Sequence, residues 1–215
     1  MDSLEQRKKR ARSVLTTLMK RTPDARTALR HRDAFELLIA TILSAQCTDK
    51  KVNEVTEGLF ERYPGPAELA SADPEELQAI LRPTGFFRQK SKSVQATSVA
   101  LQERFGGQVP DTMEALTSLP GVARKTANVV LGQWFGKPEG VVVDTHVRRL
   151  SQRLGFTEHD EPEKIEADLM ALFPKSKWIP LGSVLILHGR EICAARKPAC
   201  GECPVADRCL RMGVS

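Results

Sequence analysis

Residues 119–130 read Leu119-Pro120-Gly121-Val122-Ala123-Arg124-Lys125-Thr126-Ala127-Asn128-Val129-Val130. A short helical segment at about 111–117 precedes this run, and small and apolar residues carry a helix on to about 135. Two helices joined by a turn this tight leave unpaired amides at the start of the second, where a phosphate can be held. Gly121 can take a positive φ and leaves room for close backbone approach. A plain helical connection would have the same appearance, so the turn by itself fits either.

Helical spacing continues on both sides. Leu4, Ala11, Val14, Leu15 and Leu18 predict an amphipathic N-terminal helix stopped by Pro23. Phe35, Leu38, Ile39, Ile42 and Leu43 form one stripe, and Val52, Val55, Leu59, Phe60 and Tyr63 another. Pro64-Gly65-Pro66 ends the second of these helices. Asp73 and Pro74 read as the cap and first turn of a short helix reaching about Leu81. Residues 83–90 read as a turn into a long helix carrying Val94, Leu101 and Phe105, which Gly106 and Gly107 terminate. A domain crossing is expected between Gly136 and Gly140. Val141, Val142 and Val143 then lead into a helix with Val147, Leu150 and Leu154; a strand is the lesser reading, because no other segment offers a partner. Helices near 161–172 and 178–190 follow. The class predicted is all-α, and the 5% aromatic content suits it.

The chain has 215 residues, of which 41% are hydrophobic and 27% charged. That length suits one or two domains burying about 70% of the unfolded surface, and the composition is not that of a disordered chain. The longest apolar stretches are a few residues, far from the roughly 18 that span a bilayer, and no apolar run follows the charged start as a secretory signal would require. A soluble, cytoplasmic protein is expected. Net charge is +5, but residues 1–32 hold ten basic side chains against three acids, leaving the remainder at −2. A basic N-terminal helix suits nucleic acid and a solvated surface equally.

Four of the five cysteines, Cys193, Cys200, Cys203 and Cys209, fall within seventeen residues, separated by six, two and five positions. Reduced thiols this close suit a metal centre better than disulfides. Zinc sites usually come as two close cysteine pairs, whereas only Cys200 and Cys203 form one here. The wider loops favour a [4Fe–4S] cluster over zinc, with zinc retained as the alternative. Arg190, Arg196, Lys197, Arg208 and Arg211 are candidates to offset the cluster's negative charge. Cys47 lies too far upstream to be a ligand and is expected to be a small buried hydrophobe.

Lys125 falls in the first turn of the helix after the Leu119-Pro120-Gly121 turn, a position whose dipole disfavours a cation. A free amine near a sugar is a nucleophile able to form a Schiff base. Asp144 follows nineteen residues later, where a carboxylate can face such a lysine across a cleft; a helix N-cap is the plain alternative.

The combination resembles the endonuclease III family of DNA glycosylases. The resemblance runs from about residue 5 to 209. It rests on Leu43-Ser44-Ala45-Gln46-Cys47-Thr48-Asp49, the hairpin 119–130, Val143-Asp144-Thr145-His146, Leu187-His188-Gly189-Arg190 and the four cysteines. It implies a helix-hairpin-helix fold of two helical domains with a DNA cleft between them. Residues 27–137 would form a six-helix barrel, and 1–26 with 138–215 a domain holding a [4Fe–4S] cluster on Cys193, Cys200, Cys203 and Cys209. The family's nucleophile falls on Lys125 and its essential aspartate on Asp144. Gln46 falls where a residue fills the gap left by an extruded base, and the Gly85-Phe86 loop resembles the segment that wedges into the opposite strand. The DNA-contacting set implied is Gln46, Phe86, Gly121, Val122, Ala123, Arg124, Thr126, Arg148 and Arg190. The implied reaction is excision of oxidised pyrimidines from double-stranded DNA through a Schiff base, with β-elimination at abasic sites. The chain is expected to act as a monomer, away from membranes, and with the nucleoid if bacterial.

An adenine-removing branch of the family lacks this lysine and carries an extra C-terminal domain, so Lys125 and the short chain argue against it. Other departures fall in the DNA-contacting segments. Ala123 stands where the family usually has glycine, and a left-handed backbone there would cost about 1–2 kcal/mol. Pro83-Thr84 precede Gly85 where isoleucine is common, and Phe87 replaces a frequent tyrosine. The expectation is retained chemistry with a weaker grip on DNA or an altered lesion preference. The rival from another class is a DNA-binding protein of the same fold with disabled catalysis. His31 and His159 are expected at the surface, His146 and His188 in packing or hydrogen bonding, and Trp134 and Trp178 in the core.

Overall fold

A computed structural model describes residues 3–214; Met1, Asp2 and Ser215, which fall inside the expected N- and C-terminal domain limits, lie outside the described residues. The all-α class is what the chain adopts, with eleven α-helices, four short 3₁₀ turns and no strand among the described residues. It divides into two compact units, one comprising Thr27–Gly136 and the other Met1–Arg26 with Lys137–Ser215.

The Thr27–Gly136 unit contains α2 (Ala34–Leu43), α3 (Asp49–Arg62), α4 (Pro66–Ala70), α5 (Pro74–Leu81), α6 (Phe87–Phe105), α7 (Met113–Thr117) and α8 (Arg124–Gln133). Helix α2 is more buried than the single expected stripe: all of its residues from Phe35 to Leu43 are inside. A helix apolar on every face must be surrounded, and α2 is. Its one charged residue, Glu36, accepts from the Arg32 amide at 2.6 Å and Arg32 Nε at 2.7 Å, so the buried carboxylate is paired. Asp33 caps the helix by accepting from the Glu36 amide.

Three local expectations need correction. Helix α3 ends at Arg62, before Pro64 as expected, but Pro66 is not part of the loop and occupies the first turn of α4, a place where its missing N–H costs nothing. Helix α6 begins at Phe87, within the stretch expected to be a turn, directly after Gly85 at φ +69 and Phe86 in a left-handed conformation. Trp134 is 43% exposed rather than in the core, its ring edge-on to the partly buried His31.

The second unit contains α1 (Leu4–Arg21), α9 (Thr145–Arg153), α10 (Pro162–Leu172) and α11 (Trp178–Glu191). Helix α1 has a capping box at Ser3 and Gln6, and buries Ala11, Val14, Leu15 and Leu18 on one face. Part of its basic face serves the fold: Arg10 donates to the carbonyls of Leu154 and Gly155. Residues 141–144 are neither helix nor strand. Val141 and Val143 are buried, Asp144 is extended, and the helix starts only at Thr145. Trp178 donates its indole N–H to the Phe173 carbonyl at 3.0 Å. Cys47, in the first unit, is partly buried and packs against that unit's core.

Candidate active site and metal centre

The turn between α7 and α8 is fastened from several directions. Leu119 and Val122 are buried in the core of their unit. Arg104 on α6 donates to the Ser118 carbonyl at 3.1 Å and hydroxyl at 2.7 Å, and the Thr97 hydroxyl donates to the Pro120 carbonyl. Gly121 has φ +75, and a Cβ there would lie 3.0 Å from Ser93 Cβ, so both the conformation and the close packing require glycine.

Ala123 is the N-cap of α8 at φ −85, ψ 167. That is ordinary extended backbone, so the strain anticipated for alanine at this position is absent. What alanine lacks is a capping oxygen. The amides of Ala123, Lys125 and Thr126 have no acceptor among the described residues, which leaves donors facing outward for an anion. Val122 differs from its neighbours: its side chain is buried and its amide donates to the Leu119 carbonyl at 3.2 Å, so it has neither to offer DNA. Gly121, Ala123, Arg124 and Lys125 are exposed and Thr126 is partly so. Lys125 makes no hydrogen bond or ion pair among the described residues.

Asp144 caps α9 in the other unit. Its Oδ1 accepts from the amides of both His146 and Val147 at 2.8 Å, while Oδ2 has no hydrogen bond among the described residues. The cap and a chemical role are therefore compatible, since they use different oxygens. Arg148, one of the expected DNA contacts, is half-exposed and pairs with Asp160 at 2.8 Å; Arg190 is exposed near the end of α11. Helix α11 comes close to α9 at Gly189, where a Cβ would sit 3.0 Å from His146 Nδ1.

Gln46 and Phe86 stand out by backbone conformation. The non-glycine residues with positive φ among those described are Gln46, Phe86, Lys197 and Arg211. The first two are exposed, Phe86 at 66%, on loops that lead into α3 and α6. Such conformations cost about 1–3 kcal/mol each and persist where surrounding structure enforces them. The other two belong to the cysteine segment.

Cys193, Cys200, Cys203 and Cys209 line one pocket together with Leu150, Leu154, Ile192 and His188. Burial pushes the thiols of Cys203 and Cys209 up, and the other cysteines add to it. Four sulfurs gathered on one largely apolar pocket are a donor set that a cationic metal centre would satisfy. Among the described residues no group of three or more His, Cys, Asp or Glu side chains is gathered as a single-ion site.

Donors approach these sulfurs from unexpected residues. Arg153 Nη1 lies 3.3 Å from Cys193 Sγ, the Arg211 amide 3.4 Å from Cys209 Sγ, and His188 Nε2 3.5 Å from Cys203 Sγ. Burial pushes the His188 imidazole below its ordinary range, with the charge of Arg21 adding to the effect. Arg149 donates to the carbonyls of Cys193 and Gly189, and Arg153 to those of Ala194 and Ala195. Arg208, expected to offset the cluster's charge, instead bonds to Ser13, Thr17 and Asp207. Nothing in the sequence around Arg149 and Arg153 marks them, because the carbonyls they hold lie some forty residues away.

Comparison with known proteins places these features in one family. Residues 39–175 match the model for HhH-GPD superfamily base excision DNA repair proteins, and residues 193–209 match the iron–sulfur binding domain of endonuclease III. Endonuclease III of Synechocystis is 52% identical over 203 residues, covering 94% of this chain and 93% of that protein. Endonuclease III of Bacillus subtilis is 44% identical over 188 residues, covering 87% and 85% respectively. A solved endonuclease III–DNA trapped covalent intermediate superposes with a TM-score of 0.90 at 42% identity, covering 97% of this chain and 96% of that one. The metal centre is accordingly an iron–sulfur cluster of the [4Fe–4S] type, held by the four cysteines' segment.

Proposed function

The chain belongs to the endonuclease III family of the HhH-GPD superfamily, and from that premise we propose which of its residues carry the reaction and on what substrate. The protein is a base excision repair DNA glycosylase with abasic-site lyase activity. The substrate proposed is double-stranded DNA bearing an oxidised pyrimidine such as thymine glycol, or an abasic site. The protein acts as a monomer, in the compartment that holds the chromosome; no described helix is long and apolar enough to cross a membrane.

The target nucleotide leaves the stack because its C1′ is inaccessible inside duplex. Lys125 Nζ attacks C1′ as the glycosidic bond breaks and the base departs with the bond electrons. Asp144, through Oδ2, takes up the proton lost by the attacking amine and offsets positive charge on the sugar. Opening of the sugar gives a Schiff base between Lys125 and C1′. Loss of a C2′ proton then expels the 3′ phosphate by β-elimination, cutting the strand on the 3′ side. The outward amides of Ala123, Lys125 and Thr126 hold backbone phosphate, which positions the duplex without reading its sequence. Gln46 fills the vacated stack and Phe86 enters beside the opposite base. Arg124 in one unit, and Arg148 and Arg190 in the other, add positive charge for backbone phosphate. The cluster, on Cys193, Cys200, Cys203 and Cys209, fixes a C-terminal segment with little core of its own.

The observation that carries this reading is the combination of an exposed, unpaired Lys125 with the outward amides of its own helix turn. The test is incubation of the protein with duplex containing one thymine glycol, followed by separation of the strand products. Cleavage leaving a 3′ unsaturated aldehyde is expected. Base release without scission, or binding without either, would reject the lyase assignment.

A further inference from the structure

Lys90 is 5% exposed, on the first turns of α6. Lysine is almost never this buried unless its charge is paired, yet among the described residues no carboxylate pairs with it. Its ammonium makes one hydrogen bond, donating to the Thr84 carbonyl at 2.8 Å. Burial pushes the group below the ordinary lysine range, and a charge on Cys47, which lies near enough to matter, opposes that shift. The fold does not need this charge for volume, since a methionine has about the same length and adapts to irregular gaps.

The position of the bonded carbonyl is informative. Thr84 immediately precedes Gly85 and Phe86, at φ +69 and +47. Thr84 is itself held, its hydroxyl donating to the Leu81 carbonyl at 2.8 Å, and it is 2% exposed. The buried ammonium therefore anchors the fixed end of a segment whose other end is a strained, exposed aromatic ring. Cys47, the residue it feels electrostatically, follows Gln46, the other exposed non-glycine residue with positive φ among those described in this unit. A glycine at position 85 makes the anchor matter: without it, that backbone has several accessible conformations.

We propose that Lys90 is a positioning residue, a buried brace on the Thr84 carbonyl that holds Phe86 in the left-handed conformation in which it meets DNA. This rests on the reading of Phe86 as a DNA-entering side chain. Lys90 touches no reacting atom; it acts only through the loop. Losing it releases Gly85 and Phe86 while leaving Lys125 and Asp144 in place.

The test compares single-turnover cleavage of a lesion in duplex with cleavage of an abasic site in single-stranded DNA, which needs no wedge. Lys90→Met, Phe86→Ala and the double variant are measured beside the wild type, with iron content and thermal unfolding recorded for each. Replacing an uncompensated buried charge by an apolar side chain is often neutral or stabilising, so an unfolding midpoint at or above the wild type's is expected. The duplex-to-single-strand ratio is expected to fall about tenfold or more in Lys90→Met, and the double variant to lose no more than Phe86→Ala alone. Equal losses on both substrates, or losses that add in the double variant, would overturn the proposal. A Phe86→Ala ratio equal to the wild type's would reject the reading of Phe86 itself, whatever Lys90→Met does. Should Lys90→Met fail to fold, Lys90→Gln keeps a donor for Thr84 without the charge. A ratio within about threefold of the wild type's then supports the brace, and a tenfold fall contradicts it.

Discussion

One carboxylate oxygen of Asp144 accepts two backbone amides, those of His146 and Val147 at 2.8 Å each, while the other is left without a hydrogen bond among the described residues. The cap fixes the carboxylate's orientation, and the remaining oxygen is what the proposed chemistry uses. The same side chain is thus part of the fold and part of the site, and the two roles separate by substitution.

Asp144→Asn keeps an acceptor for both amides. Its unfolding free energy is expected to stay within about 0.5 kcal/mol of the wild type, while single-turnover base excision falls by at least about a hundredfold. Asp144→Ala loses the cap as well, costing about 1 kcal/mol. Chemical denaturation run beside the cleavage assay separates the effects. Full activity in Asp144→Asn would remove the aspartate from the mechanism.

At the hairpin, two neighbouring positions predict opposite outcomes. Gly121→Ala places a side chain at φ +75 with its Cβ 3.0 Å from Ser93 Cβ. Destabilisation of about 1–2 kcal/mol is expected from the backbone alone, together with weaker duplex binding. Ala123→Gly relieves no strain, because position 123 is already extended. Any gain in duplex affinity there comes from room for phosphate, and the unfolding midpoint should be unchanged or slightly higher, glycine being the better N-cap. Equilibrium binding to undamaged duplex and thermal unfolding report both.

For the metal centre, Cys200→Ala is expected to lose visible absorbance and bound iron, and to lower the unfolding temperature as the segment 193–209 comes loose. Unchanged iron content and unfolding in that variant would exclude Cys200 as a ligand. Bound zinc without iron or sulfide would contradict the cluster's identity.

Local chemistry made much of this molecule legible from sequence. Asp73 followed by Pro74 marks a helix start, and the structure caps α5 there, with Asp73 accepting from the amides of Glu75 and Glu76. The Leu119-Pro120-Gly121 turn and the run of four cysteines are equally local. The failures have a common origin in distance. Pro66 opens a helix as readily as it closes a loop, and only packing decides between them. Val141, Val142 and Val143 match a helix entry by composition, but the segment stays outside the helix, with Val141 and Val143 buried, and the helix starts only after the Asp144 cap. Trp134 is exposed although its composition suggests a core residue. Lys90 and Arg153 give no sequence signal, because the carbonyl and sulfur they bond are placed beside them only by folding.

The central claim is that Lys125 becomes covalently joined to the sugar. The direct measurement is borohydride trapping on duplex containing a single thymine glycol, with wild type and Lys125→Ala run side by side and the adduct's attachment site identified by mass spectrometry. The account predicts a stable adduct in the wild type, borne by Lys125, and none in the variant. An adduct of equal yield in Lys125→Ala, or no adduct in the wild type on either thymine glycol or an abasic site, would contradict it.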